Sequence, residues 1–371
     1  MKYPCVIFSL WAVAHGLATD ISFKNYVSKF SRDYEFGSPE YLAREALFHQ
    51  RRAAVAAQNA RPGRLWKACL NEFSDRSSHE LRQYQGLRLG EEAKGTSGIL
   101  LEEAAELMKQ PLASIDWTNL SMAKDVPTQG QCGSCLAMAA VSMLQARKEA
   151  QLRKRMKFSA QQLVNCVPNP KHCGGTGGCD GNVVNLAMDY IQQNGLQRES
   201  KLPYRAVDDT CMQPLPAQKS FLRRTKASSG SRVGMKSWSS LPRNKARALM
   251  HALVQGPVAI SVSANPWFSY ESGIFNGCEK DTVIDHAVTL FGYGQEGSTK
   301  YWNIRNSWGS SWGEEGFIRL FRHDTIQEDE HFCGKDNDPG QGTSCKPYPK
   351  SVRVCGMCGM LYDSVVATFA A

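Results

Sequence analysis

The 371-residue chain exceeds one average domain, and its 42% apolar and 21% charged residues are ordinary for a globular protein. A formal charge of +9 is spread thinly along it. The densest basic cluster is Arg147, Lys148, Arg153, Lys154, Arg155 and Lys157, at the end of a predicted helix where cations complement the dipole. It reads as a solvated helix end, not as a nucleic-acid groove.

Residues 1–18 carry Lys2, an apolar stretch from Cys5 to Ala14, and then small residues. Ala12-Val13-Ala14 or Gly16-Leu17-Ala18 suits signal peptidase. The run is too short to span a membrane, and no other segment approaches the roughly 18 apolar residues that a spanning helix needs. A secretory leader sends the chain along an oxidising route, where its thirteen cysteines favour disulfides. Asn119-Leu120-Ser121 is a glycosylation acceptor consistent with that route.

Ile21 to about Glu92 reads as polar and helical, with Glu40, Arg44, Phe48, Arg51, Val55 and Asn59 recurring at helical spacing. Leu70 to Asp75 is a turn-and-strand candidate. Glu91 to Lys109 mixes Gly, Ser, Thr, Glu and Lys, as an exposed connector open to proteolysis would. From Pro111 the chain changes character and gathers almost all the cysteines. Cys135 to Leu152 reads as a helix, and Ser159 with Gln162 as a capping box opening a second one over Ala160–Asn165. After the glycine-rich stretch Lys171–Gly181, a helix from Val183 to Gln193 ends at Asn194-Gly195. Short β-type runs follow at residues 257–262, 286–293, 301–305 and 316–321. Helices early and strands late predict an α+β enzyme of two lobes with a cleft between them.

The run Gln129-Gly130-Gln131-Cys132-Gly133-Ser134-Cys135 sets two cysteines at a turn before a helix. A thiol at a helix N-terminus is acidified by the dipole and by unpaired N–H groups; a disulfide and a packed thiol are the other reading. A cysteine nucleophile needs a base and a group that orients the base. His286, in Ile284-Asp285-His286-Ala287-Val288, is the one of eight histidines that enters a strongly apolar strand beside a polar turn. Asn306, in Asn306-Ser307-Trp308-Gly309, offers an amide to orient an imidazole, and Trp308 an indole to shield that bond from water.

Taken together and in this order, Gln129, Cys135, His286 and Asn306 resemble the papain-like cysteine proteases, in particular the cathepsin L-type endopeptidases. The resemblance spans nearly the whole chain. Glu40, Arg44, Phe48, Val55 and Asn59 look like the helical motif of that family's inhibitory prosegment; Asn71, Phe73 and Asp75 look like its second motif. Asp116-Trp117 resembles the start of a mature enzyme. The implied organisation is a signal peptide at 1–18, a helical prosegment with activation linker at 19–110, and a peptidase domain at 111–371. The implied fold is papain-like, with a mainly helical left lobe and a β-barrel-like right lobe.

The resemblance makes Cys135 the nucleophile in a resting thiolate–imidazolium pair with His286, the general acid/base, and Asn306 the orienting group. Gln129 and the Cys135 N–H would form the oxyanion hole. Gly133, Gly181 and Trp308 would contact substrate. It also implies disulfides Cys132–Cys179, Cys166–Cys211 and Cys278–Cys358, and leaves Cys173, Cys333, Cys345 and Cys355 with three possible connectivities. A metal site in that surplus is disfavoured by the secretory route, and Asp324 to Lys350 reads as an exposed loop stapled by it.

Several positions depart from the family pattern. Leu136 replaces an aromatic residue, Arg51 an asparagine, Cys69 a glycine, and Asn182 a second glycine after Gly181. Asp363 falls at the floor of the pocket for the second residue before the scissile bond, where a carboxylate would accept Arg or Lys as well as Phe or Leu. The implied function is a cysteine endopeptidase made as a zymogen; a catalytically impaired binding protein of the same fold is the alternative. It needs no cofactor or metal. Its expected partners are peptide substrates, its own prosegment and inhibitors of the cystatin type, and it is expected to be a monomer. The expected location is a lysosome or acidic vacuole, or the extracellular space.

Overall fold

The computed structural model describes residues 21–86, 111–212 and 233–369. The expected leader and the whole of the expected connector, Glu91 to Lys109, lie outside them. Helix α1 (Phe23–Lys29) begins after Ser22, whose hydroxyl accepts from the Asn25 N–H, and α2 (Pro39–Ala60) after Ser38, which does the same for Tyr41. Tyr41, Phe48 and Val55 recur every seven residues, bury one stripe of α2 and pack on Phe23 and Tyr26 of α1.

The polar members of the same periodicity grip the chain that follows. Asn59 exchanges two hydrogen bonds with the backbone of Ala68, at 2.8 and 2.9 Å, and Arg51 donates to the carbonyls of Phe73 and Arg76. Asp75 is buried and accepts from Arg32, Tyr26 and Tyr34. The strand in this region, β1 (Trp66–Ala68), lies earlier than the sequence suggested, and residues 70–75 form the turn alone. A short α3 (Ser78–Arg82) follows, opened by a Ser77–Glu80 capping box.

In the helical lobe, α4 (Cys135–Leu152) is buried over almost its whole circumference, so it is the lobe's central helix. This overturns the solvated reading of Arg147 and Lys148, which are only 1% and 6% exposed. Arg147 donates to the carbonyls of Gly256 and Pro257, and Lys148 to that of Val233. Helix α5 (Ala160–Cys166) has half of the expected capping box. Ser159 caps the Gln162 N–H, but the Gln162 amide serves Gln197 and Tyr190 instead. Helix α6 (Val184–Asn194) ends at Gly195, whose φ of 73° favours glycine.

The second lobe carries β3 (Met235–Ser240), α7 (Ala246–Leu253), β4 (Val258–Val262), β5 (Tyr270–Phe275), β6 (His286–Glu296), β7 (Thr299–Arg305), β8 (Phe317–Arg322) and β11 (Ser364–Phe369). These strands join one sheet in the order β1-β5-β8-β7-β6-β4-β11-β3, with β2 (Ile115–Asp116) paired to β6. The N-terminal segment therefore adds β1 as an edge strand to the sheet of the main domain, antiparallel to β5. The expected two-lobe α+β arrangement is present.

Residues 324–350 are more than an exposed loop. They contain α8 (Ile326–His331), opened by a Thr325–Glu328 capping box, and β9 (Cys333–Asp336), which pairs with β10 (Val352–Cys355). Asp329, Asp336 and Cys345 are buried. Capping, strand pairing and two disulfides order what glycine and proline content alone made look irregular.

Candidate active site

The fold brings Gln129 and Cys135, six residues apart, together with His286 and Asn306, more than 150 residues further on. Cys135 is the first residue of α4, and its Sγ is fully buried. His286 opens β6, and its Nε2 lies 2.7 Å from Oδ1 of Asn306, the residue after β7. That Oδ1 also accepts from the Ser307 N–H at 2.8 Å, which fixes the amide with its oxygen towards the imidazole. Trp308 lies 5.1 Å from the His286 ring and stacks on Phe268 at 4.6 Å, and both His286 and Asn306 are buried. Gln129 is anchored by its N–H on the Ser307 carbonyl and by its Oε1, which accepts from the Ser307 hydroxyl at 2.6 Å. Its Nε2 donates to Cys132 O at 3.0 Å.

Gly133 and Gly181 lie side by side, tied by the Cys132–Cys179 disulfide and by the Gly133 N–H on Cys179 O. Gly181 has φ of 98°, and Asn182 does without a positive φ, its side chain accepting from the Val183 N–H at 2.8 Å. Asp363 sits before β11, where its Oδ2 accepts from the Ser261 hydroxyl at 2.7 Å. Burial pushes its carboxyl up, against that hydrogen bond and the nearby Arg243.

Residues 84–86 of the N-terminal segment run through this site, a feature that no sequence motif marked. The Cys135 thiol donates to Gln85 O at 3.2 Å, and the Trp308 indole donates to Tyr84 O at 2.9 Å. A Cβ on Gly86 would sit 2.3 Å from Gly133 O, and one on Gly181 would sit 2.2 Å from Gly86 O. Only glycine permits backbone to meet backbone so closely. Gln85 Nε2 donates to Asp285 Oδ2 at 3.0 Å. Phe73 packs on Trp308 at 5.4 Å, and Asn71 donates to Phe268 O.

This cover alters the titration of the pair. Burial pushes the Cys135 thiol up to about 12, and the Ala287 backbone N–H with those of Leu136 and Cys135 at the helix start offset it only in part. Burial pulls the His286 imidazole down to about 4, against its hydrogen bond to Asn306 and the nearby Gln85 backbone. With residues 84–86 in place the neutral thiol and imidazole are favoured, not the expected ion pair. Desolvation outweighs the helix terminus here.

Cys132–Cys179, Cys166–Cys211 and Cys278–Cys358 are bonded, and the remaining four cysteines pair as Cys173–Cys345 and Cys333–Cys355. Among the described residues the free cysteine is Cys135. Ser307 and Tyr204 were not singled out in the sequence. The Tyr204 hydroxyl donates to Gln129 O at 2.7 Å and lies 2.5 Å from the Ser134 hydroxyl, bracing the turn before the nucleophile.

A family model described as papain family cysteine protease matches residues 112–339. Thiol protease SEN102 of Hemerocallis is 29% identical over 338 residues, spanning 88% of this chain and 83% of the relative. Cysteine endopeptidase RepA of Oryza sativa subsp. japonica is 32% identical over 286 residues, 74% of this chain and 71% of the relative. Among solved structures, the digestive procathepsin L 3 of Tenebrio molitor larval midgut superposes with a TM-score of 0.68 at 25% identity, over 94% of this chain and 99% of that one.

Proposed function

This chain belongs to the papain family of cysteine proteases and is a cysteine endopeptidase, and on that premise we propose how its own residues perform and restrain the reaction. Residues 19–110 act as an inhibitory prosegment with its activation linker, and residues 111–371 as the peptidase. The observation that carries this reading is the coincidence of two things in one place. Cys135, His286, Asn306 and Gln129 converge, and Tyr84, Gln85 and Gly86 lie across them.

Once the prosegment leaves, water reaches the pair and His286 takes the Cys135 proton. The thiolate attacks the scissile carbonyl carbon. Negative charge developing on the oxygen is met by the Gln129 amide and the Cys135 N–H. His286 returns its proton to the leaving amine, which departs and leaves an acyl-enzyme. His286 then deprotonates a water, which attacks the thioester; collapse releases the acid and restores the thiol. Asn306 holds the ring in register throughout, and Ser307 holds both Asn306 and Gln129.

Gly133, Gly181 and Trp308 form the track for an extended peptide, which Gly86 and Tyr84 occupy in the precursor. Asp363 supplies a carboxylate for a basic side chain two residues before the cut. Five disulfides in the described residues support a secretory route to an acidic vesicle or to the outside. Within those residues no helix is long and apolar enough to cross a membrane. Nothing in the site favours a catalytically impaired protein. The test is labelling by an epoxysuccinyl-type inhibitor after acid treatment. Label is expected on the processed enzyme and absent from Cys135→Ala; no label on processed wild type would refute the reading.

A further inference from the structure

The insertion after β8 leaves one lobe and is bonded to the other. Its base is a stapled ribbon: Cys333 and Cys355 face each other in the β9–β10 register and are disulfide-bonded. The ribbon rests on the segment leading to the catalytic histidine. Lys335 O accepts from the Thr282 N–H at 3.2 Å, and Asp336 Oδ2 accepts from the Ile284 N–H at 3.1 Å. Past β9, a Cβ on Gly342 would lie 1.5 Å from Ile284 O, so backbone presses on backbone two residues before His286.

Three residues later the chain has reached the helical lobe. Cys345 is bonded to Cys173, and the Lys346 N–H donates to Lys171 O at 3.2 Å. Cys173 stands directly behind the glycine track. Cys173 and Cys345 form a buried cluster with Val183, and a Cβ on Gly174 would sit 2.7 Å from Asn182 O. Of the five disulfides in the described residues, Cys173–Cys345 is the one that joins the two walls of the cleft; the others close within a lobe.

We propose that residues 342–345, closed by the Cys173–Cys345 bond, are a strap that sets the width of the pocket for the second residue before the scissile bond. On this proposal one wall of that pocket is Asn182–Val184, and the other is Ile284 with Asp363 and the Ser261 hydroxyl bonded to it. The proposal rests on the assignment of this pocket given above. Three residues of extended chain span at most about 10 Å. With a disulfide Cα–Cα distance of 4.6 Å, the Ile284 wall and the Cys173 loop therefore cannot separate far. A pocket of fixed width binds a side chain that fits without the cost of ordering its walls, and rejects one that needs the walls to part.

The test uses the full-length zymogen, acid-processed, carrying Cys173→Ser with Cys345→Ser. A reporter series holds Arg before the scissile bond and varies the preceding residue through Val, Leu, Phe, Trp and Arg. Releasing the strap is expected to raise kcat/KM for Trp relative to Leu by about tenfold, chiefly through KM. Unchanged ratios with a lowered Tm would reduce the bond to a staple and overturn the proposal. A second variant, with two glycines inserted between Gly342 and Thr343, keeps the disulfide and slackens the strap. It carries the same two outcomes if the serine variant fails to fold. An enzyme that takes no active-site label would refute the protease reading; a labelled enzyme of unchanged selectivity would refute only the strap.

Discussion

The Cys135 thiol donates to the backbone carbonyl of Gln85 at 3.2 Å, so the sulfur at the start of α4 is capped by the N-terminal segment of its own chain. A carbonyl oxygen stabilises a thiol and repels a thiolate. The contact favours the unreactive form of the nucleophile as well as covering it.

The first expectation concerns that thiol. Burial pushes it up to about 12, so the thiol is essentially un-ionised at pH 7, and alkylation follows the thiolate. Iodoacetamide should modify Cys135 at least about a hundredfold more slowly in the precursor than in the processed enzyme, with modification timed by mass spectrometry. Equal rates would mean that residues 84–86 do not mask the sulfur in solution.

The acid response should come from Glu80. Burial pushes its carboxyl up, but hydrogen bonds from Arg44, Ser77 and Arg76 outweigh it and hold it down to about 2. A depressed acid contributes stability above its unfolded value that is lost as pH falls, here between about 4.5 and 2. Glu80→Gln should activate at higher pH than wild type, with a flatter profile below pH 4.5, read by precursor loss on gels. An unchanged profile would place the acid trigger elsewhere.

Asp285 should act in the opposite sense. Burial raises it to about 7, with Asp336 nearby adding to the shift, although N–H groups from Ala264 and Asn265 oppose it. A raised acid costs stability when ionised, and that cost is relieved as pH falls from about 7 towards 3.8. Asp285→Asn should therefore raise the precursor's Tm at pH 7.5 and leave it near wild type at pH 4. A Tm lowered equally at both would mean that the carboxylate is a net favourable acceptor.

Removing the Gln129 amide should slow the chemistry without weakening substrate binding. Loss of one oxyanion donor costs about 10²–10³ in kcat. Gln129→Ala should fall in that range with KM little changed, and Ser307→Ala, which loosens Gln129, should fall between it and wild type. A drop confined to KM would assign Gln129 to ground-state binding.

The carboxylate at 363 should govern selectivity. Asp363→Ala is expected to lower kcat/KM on Arg-Arg reporters by about tenfold or more while sparing Phe-Arg. Because burial holds the carboxyl above its usual range, wild-type preference for Arg should strengthen as pH rises through that titration. No selective loss on Arg-Arg would reduce Asp363 to a partner of Ser261.

By itself, the sequence determined the fold class and most helices of the main domain, and it singled out the cysteine, histidine and asparagine that the fold brings to one place. Those features are written in local terms: the cap at Ser159, the stop at Gly195, the helical spacing of Phe48, Val55 and Asn59, and the order of Cys135, His286 and Asn306. What it left undecided depends on segments distant along the chain and adjacent in space. Gln85 bears no motif, and its place over Cys135 follows from β1 joining β5 and from Phe73 packing on Trp308. Arg147 and Lys148 looked solvated because a charged helix end usually is, until carbonyls from another segment came to meet them. The choice among three connectivities for the surplus cysteines fell to the β9–β10 register and to the crossing at Gly342. Caps and periodicity record what a residue needs from its near neighbours; only packing of the two lobes decides which distant residue supplies the rest.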